Sequence, residues 1–340
     1  MQPDLSLDIE TVKANARAWR AFARGALYAV VKGDGYGWGV RPLVKALEDV
    51  ADAYCVSDAE ELDELRKHTQ TPAVILGSVE PDRLAGAYRT GAQPSIGTPI
   101  ELEIAQHVFE SLGKPLRVRV GVRPAAAWSG LSLAEISTFA PALAKAGASV
   151  QLWTHITDFE RRQAQIETFQ AAARTLEAAH VHVESRDIQS TFPLAADGPV
   201  GDSVRVGVGL FGATGGFEVP GVRCALRVTA PVIRIERHSA GTRVGYGGTM
   251  LADGETIATA RCGYADGLPK ALEGADDILS VGMQYVTARV SRLDDSETQL
   301  PLLDGGSDLD AFAARCGLLP HEIVTAFGNR ARAGGVSVEV

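Results

Sequence analysis

Ala26-Leu-Tyr-Ala-Val-Val31, then Lys32-Gly-Asp-Gly-Tyr36-Gly-Trp-Gly39, then the run 40–50, closed by Ala53-Tyr-Cys-Val56, form one unit of this chain. The first run is apolar and rich in β-formers. The run 40–50 has the spacing of an amphipathic helix, and 53–56 is again a strand. Working outward, the same alternation continues. Strands are predicted over 73–76, 93–96, 116–122, 150–155, 181–184 and 204–211. Helices are predicted over 58–68, 81–89, 99–112, 132–146 and 161–179, with a short helical piece near 192–196. Ile166, Phe169, Ala173 and Leu176 share one face of the 161–179 helix. Eight strands separated by seven helical segments are what an α/β chain needs for a (β/α)8, TIM-type barrel. A doubly wound sheet also alternates but usually has fewer strands, so the barrel is preferred.

The pattern changes after Gly215. Strand-like runs dominate at 222–237, 255–261, 278–290, 300–303 and 336–340, separated by turns such as Ala252-Asp-Gly254. Only 308–316 reads as a helix there. The expected division is a barrel over 8–217 and a β-rich C-terminal domain over 218–340, joined by a strand from 1–7.

The composition agrees with a globular enzyme. The 340 residues are 46% hydrophobic and 22% charged, with a formal net charge of -9. An acidic chain without a basic cluster is a poor partner for nucleic acid or an anionic membrane, and no apolar run is long enough to span a bilayer. The first residues lack the basic and apolar regions of a signal peptide. Cys55, Cys224, Cys262 and Cys316 are scattered, without metal-ligand spacing. A cytoplasmic location with reduced thiols and no metal is the expectation.

Barrel enzymes carry their chemistry at the C-terminal ends of the strands. Lys32 follows the first strand at a glycine-rich turn; a lysine there either snorkels at the rim or does chemistry. Arg123 and Trp128 lie in the stretch after the fifth strand, and Thr154-His155 ends the sixth. Ser190-Thr191 follows the seventh, and Arg205-Val-Gly207-Val208-Gly209 surrounds the eighth. Hydroxyls and glycine-exposed backbone after strands seven and eight suit a phosphate. A lysine, a phosphate cradle and an arginine across one barrel mouth suggest pyridoxal phosphate, with Arg205 as partner of the ring nitrogen. In the second domain, Arg261-Cys-Gly-Tyr264-Ala-Asp266-Gly267 is the densest motif. Read alone it is a strand ending in a turn with a packed tyrosine.

Taken together and in order, these segments resemble the alanine racemase family of fold-type III pyridoxal-phosphate enzymes. Ala29-Val-Val-Lys32-Gly-Asp-Gly-Tyr36-Gly is similar to its cofactor-lysine motif. Trp153-Thr-His155, the segment 204–212, Val244-Gly-Tyr246-Gly and Gly263-Tyr264-Ala-Asp266-Gly are similar to four more. The resemblance implies that Lys32 carries the cofactor. Tyr36, Ser190 and Thr191, with the backbone of Gly207 and Val208, would hold the phosphate. Arg205 would face the pyridine nitrogen, supported by His155. Lys32 and Tyr264 would be the two acid/base groups, one per face of the substrate's Cα. In this family that tyrosine serves the other subunit, so a homodimer is implied, acting on a small amino acid.

Four departures accompany the resemblance. The family's carboxylate-binding arginine after strand five is replaced by Ala127-Trp128-Ser-Gly130, with Arg123 as a nearby substitute. Its Met-Asp-Gln motif reads Met283-Gln284-Tyr285. Its C-terminal phosphate-binding tyrosine aligns with His321. Gly33-Asp34-Gly35 stands where Ala, Asn and Ala are usual. The expected activity is racemisation, with alanine as the default substrate. The alternatives are another reaction on the same scaffold or cofactor binding without turnover.

Overall fold

The computed structural model describes residues 2–124, 129–245, 248–275, 277–290 and 298–333. Trp128, Tyr246, Gly247 and the strand expected over 336–340 lie outside them. Ala26–Val30, Ala53–Val56, Ala73–Ile75, Ala92–Gln93, Arg117–Gly121, Ser149–Trp153, His182–Ser190 and Ser203–Val206 form one eight-stranded parallel sheet. The first strand lies beside the eighth, with Tyr28 opposite Arg205. Among the described residues the fourth and fifth strands meet at a parallel bridge between Ser95 and Arg119. The Ile96 N–H donates to the Arg119 carbonyl there at 2.8 Å, so the barrel is nearly closed.

Local sequence explains the helices between the strands. Thr98 with Glu101 caps Pro99–Ser111, and Ser132 with Glu135 caps Leu133–Lys145, each as a reciprocal capping box. Such caps contribute about 1 kcal/mol each. The first helix, Ile9–Ala23, buries Val12, Ala16 and Trp19 at helical spacing. The Trp19 indole donates to the Gly209 carbonyl at 3.0 Å, and the fully buried Asn15 amide donates to the carbonyls of Leu210 and Arg223. That helix therefore holds the loop after the eighth strand in place.

The C-terminal region is a six-stranded sheet around the long strand Leu226–Arg237, which pairs antiparallel with Asp4–Leu7, Thr256–Ala260 and Gln299–Leu303. Val286–Arg289 and Ile278–Val281 extend it.

Three expectations need correction. The eighth strand ends at Val206, and Val208–Phe211 is a 3-10 turn instead of strand. The seventh strand is longer than expected and runs on to Ser190. Pro320–Ala333 is a 14-residue helix where none was expected. It buries Ile323, Val324, Phe327, Gly328 and Ala331. Gly328 and Asn329 inside it are poor helix formers and weaken its local signal; packing against the barrel supplies what propensity lacks.

Candidate active site

The strand Ala26–Val30 delivers Lys32 to the C-terminal mouth of the barrel, and the next residues turn left-handed. Gly33, Asp34, Gly35 and Tyr36 all have φ between 49° and 64°. Glycine enters that region freely, whereas most residues pay about 1–2 kcal/mol. This accounts for the glycines flanking Asp34. Asp34 accepts from the Val40 N–H at 2.9 Å, and Gly33 N–H donates to Glu61 at 2.6 Å. Asp34 also pairs with Arg332 of the C-terminal helix.

A cavity of about 710 Å³ opens above the turn. Its wall contains Lys32, Tyr36, His155, Ser190, Thr191, Arg205, Gly207, Val208 and His321. All nine residues read from the sequence as cofactor contacts are thus brought to one cavity. An apolar side is built from Leu76, Trp153, Ile156, Phe159 and Leu319. Tyr36 is buried, its ring 5.2 Å from that of Phe211 and 6.1 Å from that of His321. Burial pushes its phenol up. A Cβ on Gly207 would lie 2.1 Å from the Tyr36 hydroxyl, so any larger residue there would displace the Tyr36 ring. Burial, with Lys32 beside it, pulls His321 down, and its Nδ1 is buried without a hydrogen-bond partner among the described residues. Burial, reinforced by Arg205 and Lys32, pulls His155 down to about 4. Both rings are therefore neutral near pH 7. Burial pushes the Cys55 thiol up to about 12, which leaves it inert.

Two residues that sequence reasoning missed stand behind Arg205. Its guanidinium forms an ion pair with Asp187 and donates to the Thr154 carbonyl at 2.5 Å. Asp187 also pairs with Arg119 at 2.5 Å. Arg119 had a weak signal, a charge between Val118 and Val120 on the strand Arg117–Gly121, whereas Asp187, on the mostly polar strand His182–Ser190, had none.

The described substrate-side candidates, Arg123, Met283 and Gln284, are not gathered in this cavity. Arg123 pairs with Glu135, a carboxylate held down to about 2 by Ser132 first and Arg123 next. Arg123, Met283 and Gln284 are absent from the cavity wall. Tyr264 is likewise not brought to Lys32 within the chain; it is 48% exposed on the C-terminal domain. Its turn is firmly seated. Asp266, fully buried, pairs with Arg261 and Arg330 and accepts from the Gly263 N–H at 3.1 Å. Tyr264 and Ala265 N–H groups donate to the carbonyls of Gly282 and Met283.

A nearly closed (β/α)8 barrel with a lysine after its first strand and an arginine on its eighth, followed by a strand-rich domain, defines a class of two-domain barrel proteins. Family comparison narrows this. The alanine racemase N-terminal domain matches residues 7–215, and the alanine racemase C-terminal domain matches 225–333. The chain belongs to the alanine racemase family. It is 31% identical to the alanine racemase of Dinoroseobacter shibae, over 98% of this chain and 99% of that one. In fold it is similar to the alanine racemase of Acinetobacter baumannii, with a TM-score of 0.82 at 21% identity, covering 96% of this chain and 97% of that one. It is also similar to the alanine racemase of Bartonella henselae with covalently bound pyridoxal phosphate, with a TM-score of 0.79 at 20% identity, covering 97% and 98% of the two chains.

Proposed function

We propose that this protein racemises a free amino acid, with alanine as its default substrate, using pyridoxal phosphate carried on Lys32. The observation that carries the reading is the convergence of Lys32, Arg205 and the Tyr36–Gly207 contact on one cavity. The residues present fit that cofactor. The close Tyr36–Gly207 approach and the buried Nδ1 of His321, unpartnered among the described residues, supply donors beside glycine-exposed backbone, which suits a phosphate dianion. Arg205 is a fixed cation on the same wall. When bound, the cofactor supplies an electron-withdrawing ring that acidifies the substrate's Cα–H.

The protein's own groups then do the following. Tyr36, Ser190, Thr191, His321 and the backbone of Gly207 and Val208 grip the phosphate. Arg205 would face the ring nitrogen of the bound cofactor, with His155 neutral on the same wall. Lys32 moves the Cα proton on one face. Tyr264 moves it on the other, and its exposure on the C-terminal domain supports its serving a second copy of the chain. Met283 and Tyr285, 58% and 47% exposed, adjoin the Tyr264 turn and offer apolar surface for such a dimer. Met283 and Gln284 would then border the partner's entrance. Arg123, engaged by Glu135 and absent from the cavity wall, is poorly placed as a carboxylate clamp. A cytoplasmic setting fits four cysteines that are all buried free thiols. No helix among the described residues is long and apolar enough to cross a membrane.

Proton exchange in heavy water tests the reading. Incubation with L-alanine, followed by NMR, should show Cα–H loss together with D-alanine. Lys32→Ala and Tyr264→Phe should each reduce racemisation at least roughly a thousandfold. No exchange with alanine or any other amino acid would sink it.

A further inference from the structure

Arg119, Asp187 and Arg205 form a buried ionic triad under the cavity. Their side chains are 1%, 1% and 3% exposed. One carboxylate serves two guanidiniums: Arg119 on Oδ2 at 2.5 Å and Arg205 on Oδ1. The Trp153 ring covers both cations, its centroid 5.1 Å from the Arg119 guanidinium carbon and 5.5 Å from that of Arg205. Trp153 is itself fixed by an indole hydrogen bond to Ser95 at 2.7 Å. No other carboxylate pairs with either arginine among the described residues. Arginine is charged at any pH a protein survives, so the triad keeps one uncompensated positive charge. Leaving a buried charge uncompensated is costly. Of the two arginines, only Arg205 lines the cavity, so the excess faces whatever occupies it.

We propose that Arg119 and Asp187 are positioning residues that together orient Arg205 and set how much positive charge it presents to the cofactor site. Asp187 locks the guanidinium, with the Thr154 carbonyl as its second anchor. Arg119 draws part of the carboxylate's charge to itself and keeps Asp187 from neutralising Arg205. The proposal rests on the reading of the cavity as a pyridoxal-phosphate site.

Two substitutions move the local charge in opposite directions. Asp187→Asn raises the triad from one positive charge to two; Arg119→Met lowers it to none. The readout is the visible absorption of purified protein loaded with pyridoxal phosphate, titrated with pH. A nearby cation disfavours protonation of the cofactor–Lys32 linkage. The midpoint should therefore fall in Asp187→Asn and rise in Arg119→Met, each by roughly half a pH unit or more. Arg119→Lys, which keeps the charge but not the shape, should return close to wild type. A merely structural role would shift all three variants the same way or none of them, and either outcome overturns the proposal. If Asp187→Asn does not fold, the contrast between Arg119→Met and Arg119→Lys decides: equal midpoints overturn it. Wild-type protein that takes up no pyridoxal phosphate refutes the cofactor reading instead, so the two failures are distinguishable.

Discussion

His155 shows how one buried side chain links the site to stability. An exposed histidine titrates near 6.5, whereas burial, Arg205 and Lys32 hold this one at about 4. Between those values the unfolded chain binds a proton that the folded chain refuses, so stability is lost as pH falls from about 6.5 to about 4. The contribution is roughly 3–4 kcal/mol before discounting for partial exposure, and His321 is shifted in the same direction. Urea melts of cofactor-free protein at pH 7.5 and 5 should show the decline, and His155→Gln should flatten it. An unchanged slope in that variant would refute the assignment. The residue was legible in the sequence because it follows a strand and sits in a Thr-His pair. Its neutral state was not, because that depends first on its burial and then on two cations distant in sequence.

The helix Pro320–Ala333 illustrates the same limit for an element. It brings His321 to the cavity and lies on the Lys32–Tyr36 turn. Trp38 donates to the Val324 carbonyl at 3.1 Å, and Gly328 lies so close that a Cβ there would sit 2.6 Å from the Tyr36 carbonyl oxygen. Replacing a mid-helix glycine by alanine ordinarily stabilises by up to about 1 kcal/mol. At Gly328 the collision with backbone wins, and Gly328→Ala should destabilise by about 1–3 kcal/mol. Gly86, inside Pro81–Arg89 with nothing within 4 Å of its would-be Cβ, is the control: Gly86→Ala should stabilise by about 0.5–1 kcal/mol. Thermal melts of the two variants should therefore move apart. The barrel strands were legible because apolar runs bounded by turns repeat eight times. This helix was not, because its stability comes from the surface it covers.

At the scale of the whole molecule, the proposed pairing of Lys32 with Tyr264 from a second copy has a direct consequence. Lys32→Ala and Tyr264→Phe, each inactive alone, should complement when subunits exchange. Random exchange makes half the dimers mixed, each with one intact site, so activity should recover to about a quarter of wild type. Continued inactivity after exchange, confirmed by a differently tagged pair, would place both groups in one subunit.

The order of the barrel strands and helices, the second domain and the lysine, tyrosine and glycine motifs were determined by local sequence, because periodicity and turn chemistry are short-range properties. Only the tertiary structure decided that Asp187 and Arg119 stand behind Arg205. The strand His182–Ser190 changes register beside both of its neighbours, between Val150 and Gln151 on one side and between Asp187 and Gln189 on the other. Simple alternation therefore does not say which way its side chains face. The partners of a buried charge are set by strand pairing across the closed sheet.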